Sequence, residues 1–335
     1  MEKTILSFYC DDTNPYVASP AAFKTFLDFV SSEGVAGEAS FIPGYSFTEH
    51  GLTSRPTTAL QASYIQEMQR AYVCGVDTHF ELMTHAGLFN FNELRIPEGA
   101  IHEGLWLHEP AIPVSDYEAY FTDILAEAER VGVQFTGMTW PGCGCKVCSD
   151  RYRQLWFSGF WRRIAESQRE GLSAHRLRIA LKFGPSPNPA VWQALLNLGK
   201  KGRFRGRTVP CFFDDQLRIC EARLMASEGE YHVVDLPPNA TDRLGSWINS
   251  PAEANTDYYI TSDGQAGRLV ELVRAGAPYA LFYAHWQGLN PENGCGWPAF
   301  TELVKRVERF LHGQVVWMRP SEMAAYLLES PEHEM

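Results

Sequence analysis

The sequence predicts one α/β domain, most simply a (β/α) barrel, and three observations lead there. Short β-rich runs alternate with helix-length amphipathic runs along all 335 residues. No linker or low-complexity tract interrupts the alternation, and the polar residues able to do chemistry recur just after the apolar runs. In a parallel barrel those strand ends share one face, so residues distant in sequence meet there.

The first apolar run, 3–9 (KTILSFY), ends at Cys10-Asp11-Asp12. A helix over 20–33 follows, with Phe23, Phe26, Leu27 and Val30 on one face, and Gly34 stops it. Residues 37–42 (GEASFI) read as a second strand closed by Pro43-Gly44, and 57–74 as a helix rich in Ala, Gln and Met. The strand 78–84 (THFELMT) leads into a long loop, 86–114, punctuated by Pro97, Gly99, Gly104, Pro110 and Pro113; a loop of that length in a compact domain is usually functional. Ser115 and Glu118 have the spacing of a capping box at the head of a helix over 115–131. Strand 133–139 (VQFTGMT) runs into Trp140-Pro141-Gly142.

The alternation continues with helix 149–170, strand 177–183, helix 189–199, strand 208–213, helix 216–228 and strand 230–235. A strand at 257–261 precedes helix 264–276. The run 279–284 (YALFYA) ends at His285, and helix 297–311, strand 314–318 and helix 320–328 close the chain. With no boundary signal, 1–335 reads as one domain carrying the long 86–114 loop.

Hydrophobic residues at 45% and charged residues at 21% are globular proportions, which sets disorder aside. A formal charge of -11 argues against a nucleic-acid partner and against an anionic membrane surface. No run approaches the roughly 18 apolar residues of a membrane span. The start, MEKTILSFYCDD, lacks the basic head, apolar stretch and cleavage site of a signal peptide, so a cytoplasmic location is expected. In that compartment the eight cysteines read as thiols or metal ligands before disulfides. Only Cys143, Cys145 and Cys148 cluster, and no paired second half of a zinc site follows them. The expected partner is a carbohydrate or other small molecule, and an oligomer is compatible with everything in the sequence.

Asp11-Asp12 is the strongest single signal. Two adjacent carboxylates repel, and a divalent ion or a proton relieves the cost; an ion on one leaves the other as a base. A turn or capping pair is the plainer reading. His85, after THFELMT, lies at the same barrel face and is a candidate ligand, as are His102 and His108 in the long loop. His285, after YALFYA, suits a general acid, with Trp286 as an aromatic wall; a satisfied core histidine is the alternative. Asp235 ends another strand and is a candidate to orient His285. Trp140 and Asp215 are candidate substrate contacts at strand ends, though Asp214-Asp215 also reads as a helix cap.

These residues in this order resemble the polysaccharide deacetylase superfamily, which includes carbohydrate esterase family four. SFYCDD is similar to its N-terminal Asp-Asp strand end, GVAGEASFIPG to the segment that follows, and ELMTHAGL to its first histidine motif. Leu281-Phe282-Tyr283-Ala284-His285 resembles the late Leu-x-x-His element, and VVWMRPSEMAAYL the family's last strand and helix. Position 89, where that family keeps a second histidine, is Phe, and Thr139-Trp140-Pro141-Gly142 lacks the family's arginine. The resemblance implies an irregular (β/α) barrel of roughly seven strands, a divalent ion such as zinc, and removal of acyl groups from a carbohydrate. It also implies Asp11 as base, Asp12 and His85 as ligands, His102 or His108 as the third ligand, and His285 as acid. Two other readings stay open: a metal-free glycoside hydrolase using two carboxylates among Asp11, Asp12, Asp214 and Asp235, and a non-catalytic carbohydrate-binding homologue that has lost the metal.

Overall fold

The computed structural model describes residues 3–13, 19–41, 59–81, 112–139, 179–181, 189–201, 222–229, 231–236, 238–244 and 254–329. Strand β1, Thr4–Asp11, is buried along its whole length, as expected of a parallel strand covered on both faces. It lies between β2 (Gly37–Phe41) and β8 (Tyr279–His285), and its first residues also pair with β9 (Val315–Trp317). From β2 the sheet continues through β3 (Val76–Glu81), β4 (Gly137–Thr139), β5 (Ile179–Leu181) and β7 (Tyr231–Asp235), every pair parallel. β6 (Arg223–Glu228) is antiparallel to β7 at the edge.

Asn239 closes the ring. Its side-chain oxygen accepts from Leu281 N at 2.8 Å and its amide donates to Tyr279 O at 2.8 Å, while the backbone N–H groups of Asn239 and Ala240 both reach Leu281 O. The residues just after β7 thus bond along β8 on its other side from β1. Of the nine strands of the sheet among the described residues, all but β6 and β9 take part in an irregular barrel, α/β in class. The hydroxyl of Tyr9 spans the interior to Leu236 O.

Side-chain alternation divides the strands into two faces. Phe8 points outward and packs on Phe26 of α1 (Pro20–Ser32) and Phe300 of α8 (Trp297–Leu311). α8 buries Phe300, Leu303, Val304, Val307 and Leu311, an i, i+3, i+4 stripe on an otherwise polar helix. Each such side chain contributes about 1.5–3 kcal/mol of transfer free energy. On the far side Phe80 packs on Phe121 of α3 (Val114–Arg130). The other α-helices among the described residues are α2 (Ala59–Ala71), α4 (Pro189–Lys200), α5 (Thr256–Tyr259), α6 (Arg268–Arg274), α7 (Trp286–Leu289) and α9 (Pro320–Glu329). Among the described residues no helix is long and apolar enough to cross a membrane.

Three sequence expectations change. The helix expected over 216–228 gives way to β6 at its C-terminal end. Gly229 at φ 61 turns the chain back tightly into β7, and pairing with β7 overrides the amphipathic pattern. The strand expected at 257–261 is the short helix α5, capped by Asn255, whose side chain accepts from Asp257 N. The expected capping box does not form. Pro113 occupies the N-cap position, Ser115 Oγ donates to Asp116, and Glu118 accepts from Asn197 and Lys201 of the neighbouring α4 region. Strand 133–139 narrows to β4. The helix expected over 149–170, the strand over 208–213 and nearly all of the 86–114 loop lie outside the described residues.

Candidate active site

Asp11 ends β1 and His285 ends β8, and the two are register partners. Asp12 has φ 65, the one left-handed non-glycine residue among those described. Aspartate tolerates that conformation better than most residues because its short side chain bonds locally. The reversal breaks the strand there and directs consecutive carboxylates differently. Asp12 Oδ2 accepts from Gln287 Nε2 at 3.2 Å, and the Thr13 hydroxyl donates to Ser40 O. The Asp11-Asp12 turn is thereby tied both to the segment after β8 and to β2.

His285 has a partner on each nitrogen. Nδ1 lies 2.8 Å from Asp242 Oδ2 and Nε2 lies 2.8 Å from the Tyr283 hydroxyl. A carboxylate accepts, so Nδ1 carries a proton in this arrangement, the tautomer an Asp–His pair imposes. Asp242 is largely buried beside it, at 7% exposure. Its other oxygen, Oδ1, accepts from Leu244 N at 2.9 Å, an Asx turn that fixes the carboxylate on its own backbone.

That turn is clamped from outside. The Tyr259 hydroxyl donates to Thr241 O at 2.8 Å and accepts from Arg243 N at 2.9 Å, gripping the peptides on either side of Asp242. Burial, with Asp242 adding to it, pushes the Tyr259 phenol well above its ordinary value, so it stays a neutral donor. Tyr258 holds Thr241 N, and Asn255 N donates to Arg243 O. Gly296 packs so close that a Cβ there would land on the Leu244 carbonyl; only glycine lets the segment before α8 lie against this loop.

Deeper on the inner face lies a second polar group. Glu38 and His79, both wholly buried, approach at 3.3 Å between Oε1 and Nδ1, and Thr139 Oγ1 donates to Glu38 Oε1 at 3.2 Å. The Glu38–His79 contact lies off the line of an N–H···O bond, and His79 makes no hydrogen bond among the described residues. Burial holds the His79 imidazole well below its usual value, hence neutral.

The structure thus joins Asp11, Asp12 and His285 at one end of the barrel. It replaces Asp235 by Asp242 as the carboxylate on His285: Asp235 pairs with Leu181, in the row of Met138 and Phe80 that faces the helices. It also removes Trp286 as a substrate wall. That side chain is fully buried, edge-on to Phe23 and Phe26 at 5.6 and 5.7 Å, because the chain turns outward after His285. His85, His102, His108, Trp140 and Asp215, with Asp214 and the three clustered cysteines, lie outside the described residues. Among the described residues no group of three His, Cys, Asp or Glu side chains gathers as a metal site. Asp242, Tyr283, Tyr259 and Glu38 were not singled out by sequence. The parity of GEASF, which sets Glu38 and Ser40 on one face, was the signal for Glu38.

No family model matches the chain, and no curated protein matches it. Solved structures do. A deacetylase described as T48, bound to substrate, is 8% identical over 97% of this chain and 92% of its own, with a TM-score of 0.42. A protein provisionally named a polysaccharide deacetylase, from Mycobacterium smegmatis, is 10% identical over 97% and 91%, with a TM-score of 0.45. A family 4 carbohydrate esterase from Streptomyces lividans, in complex with acetate, is 9% identical over 63% and 93%, with a TM-score of 0.24.

Proposed function

We propose that the chain is a hydrolase that removes an acyl group from a carbohydrate or a related amide or ester. The observation carrying this is the register pairing of Asp11 with His285, a histidine backed by the buried carboxylate of Asp242. Hydrolysis of an amide or an unactivated ester is served by a base for the attacking water and an acid for the departing atom. Asp11 on β1 serves as the base. The Asp242–His285 pair at the end of β8 serves the acid side, the carboxylate holding Nδ1 so that Nε2 is the nitrogen that exchanges a proton. Asp12 offers a carboxylate oxygen whose hydrogen-bond donor is the neutral Gln287 amide, a donor of the type divalent ions take. With His85 and His102 or His108 it would hold the expected ion, zinc by preference, which would draw charge from the acyl oxygen.

The glycoside hydrolase reading gains nothing from Asp235, whose register position faces the helices. Of its four candidate carboxylates, Asp11 and Asp12, neighbours on one turn, are the ones described at the mouth.

The test is acetate release from N-acetylated hexosamine oligomers and from O-acetylated oligosaccharides, with elemental analysis of the purified protein. Turnover is expected, with Asp11→Asn losing about 10²–10⁴-fold and Asp12→Ala losing bound metal. No acetate from either substrate class with any of zinc, cobalt, nickel or manganese supplied refutes the hydrolase reading. Full metal retention in Asp12→Ala refutes the ligand assignment alone.

A further inference from the structure

We propose that Tyr283 is the proton donor of the site, its hydroxyl standing between His285 and the departing atom of the substrate. The proposal rests on the acyl-hydrolase reading above and asks which atom delivers the proton.

Both ring nitrogens of His285 are engaged. Nδ1 faces Asp242 Oδ2 and Nε2 faces the Tyr283 hydroxyl, each at 2.8 Å. A protonated His285 therefore has its Nε2–H directed at a phenol oxygen, and a proton that moves off Nε2 along this contact is received by Tyr283. The contact is built in by the strand. Tyr283 and His285 are two residues apart on β8, so both side chains leave its inner face, and their rings meet nearly edge-on with centroids 4.7 Å apart. Tyr283 is the register partner of Tyr9, and His285 of Asp11. The Tyr283 ring thus starts one inner-face position below, and its hydroxyl reaches up to the imidazole of His285, the register partner of Asp11. Carboxylate, imidazole and hydroxyl stand in one hydrogen-bonded line, the order in which a hydroxyl exchanges its proton with a carboxylate-anchored histidine.

The step balances within the site. At the start His285 is the imidazolium, Nδ1–H donating to Asp242 and Nε2–H to the Tyr283 oxygen. As the bond from the acyl carbon to the departing nitrogen or oxygen breaks, that atom takes the Tyr283 hydroxyl proton. The Nε2 proton moves onto the phenol oxygen at the same time. Tyr283 ends neutral, His285 ends as the neutral Nδ1–H form still bonded to Asp242, and no phenolate accumulates.

Tyr283→Phe keeps the ring and removes the relay. Two substrates then separate relay from scaffold. An N-acetyl amide, whose amine cannot leave without a proton, should lose about 10²–10⁴-fold in kcat, the usual weight of general acid catalysis. A 4-nitrophenyl ester of the same acyl group, whose phenolate leaves unaided, should lose little. The ¹⁵N resonance of His285 Nε2 should move in the variant while Nδ1 holds its place. Equal losses on amide and ester, or an unmoved Nε2 resonance, overturn the relay and leave the hydrolase reading standing. Failure of the wild-type protein to turn over either substrate overturns the hydrolase reading and the relay's role with it. Asp242→Asn is the second variant: it keeps the tyrosine, and its loss should likewise fall on the amide far more than on the ester.

Discussion

Asp77→Asn makes a sharp test of the energetics because its expected effect depends on pH. Asp77, at the foot of β3, is wholly buried and receives both the backbone N–H of Ser321, at 2.7 Å, and its hydroxyl, at 3.0 Å. It thereby caps α9 and pins the last helix under the barrel. Burial raises its carboxyl from 3.8 to about 6, against the opposing pull of the Ser321 N–H, of Arg319 and of the Ser321 hydroxyl. A rise of about two units at about 1.4 kcal/mol per unit corresponds to about 3 kcal/mol. The sign follows from proton counts. Between about pH 4 and pH 6 the folded state holds a proton that the unfolded state has released, so stability falls as pH rises through that window. Below it both states are protonated and no penalty remains; above it the full penalty is present. Asparagine has the same shape, still accepts from Ser321 N, and never ionises. Urea midpoints of wild type and Asp77→Asn, measured together from pH 4 to pH 8, should nearly coincide at the acid end. The variant should be ahead by up to about 3 kcal/mol at the alkaline end, and taking the difference cancels every other titrating group. A flat difference would show that the Ser321 bonds and Arg319 offset burial, and a wild type that gains on the variant with rising pH would show that they outweigh it.

Other expectations concern the walls of the site. Tyr259→Phe keeps the buried ring but releases Thr241 O and Arg243 N; it should cost about 1–3 kcal/mol and broaden the downfield Nδ1 proton of His285 in NMR spectra, and a sharp unshifted proton would count against the clamp. Gly296→Ala drives a methyl into the Leu244 carbonyl, so it should lower the melting temperature and, by about 1–3 kcal/mol of overpacking, displace the Asp242 turn; a crystal structure of the variant with Asp242 still 2.8 Å from His285 would contradict that displacement. Trp286→Ala should behave as a core truncation, losing about 3–5 kcal/mol of stability with carbohydrate affinity intact in calorimetric titrations run below its melting point. Loss of affinity in a fully folded Trp286→Ala would restore the tryptophan as a ligand contact.

Much of the barrel is legible because strands covered on both faces read as nearly continuous apolar runs. YALFYA is apolar throughout and TILSFY nearly so, broken only by Thr4 and Ser7, and the charged or titratable residues that follow them, Asp11, Asp12 and His285, stand out for that reason. β6 is not legible in the same way: RLMASE is short and amphipathic, and it becomes a strand only because Gly229 returns the chain against β7. Asp242 is harder still. It ends no strand; it lies beyond Asn239, in a loop shaped by an Asx turn and by a tyrosine seventeen residues further on.

Those loop contacts also explain why Asp242, and not the strand-ending Asp235, is the carboxylate on His285. Parity decides which face of the sheet a strand residue takes, and a one-residue change of register reverses it. Asp235 ends its strand, as Asp11 does, but its register with Leu181 sets it in the outer row. The carboxylate that reaches His285 comes instead from the loop beyond, which bonds along β8 through Asn239. The ring-closing contact and the acid-side carboxylate therefore belong to one short segment, 239–244. Asn239→Ala would remove two buried side-chain bonds to β8, so damage to barrel closure and damage to the Asp242–His285 pair should appear together. A variant that keeps the pair while loosening β8 would show the two to be separable.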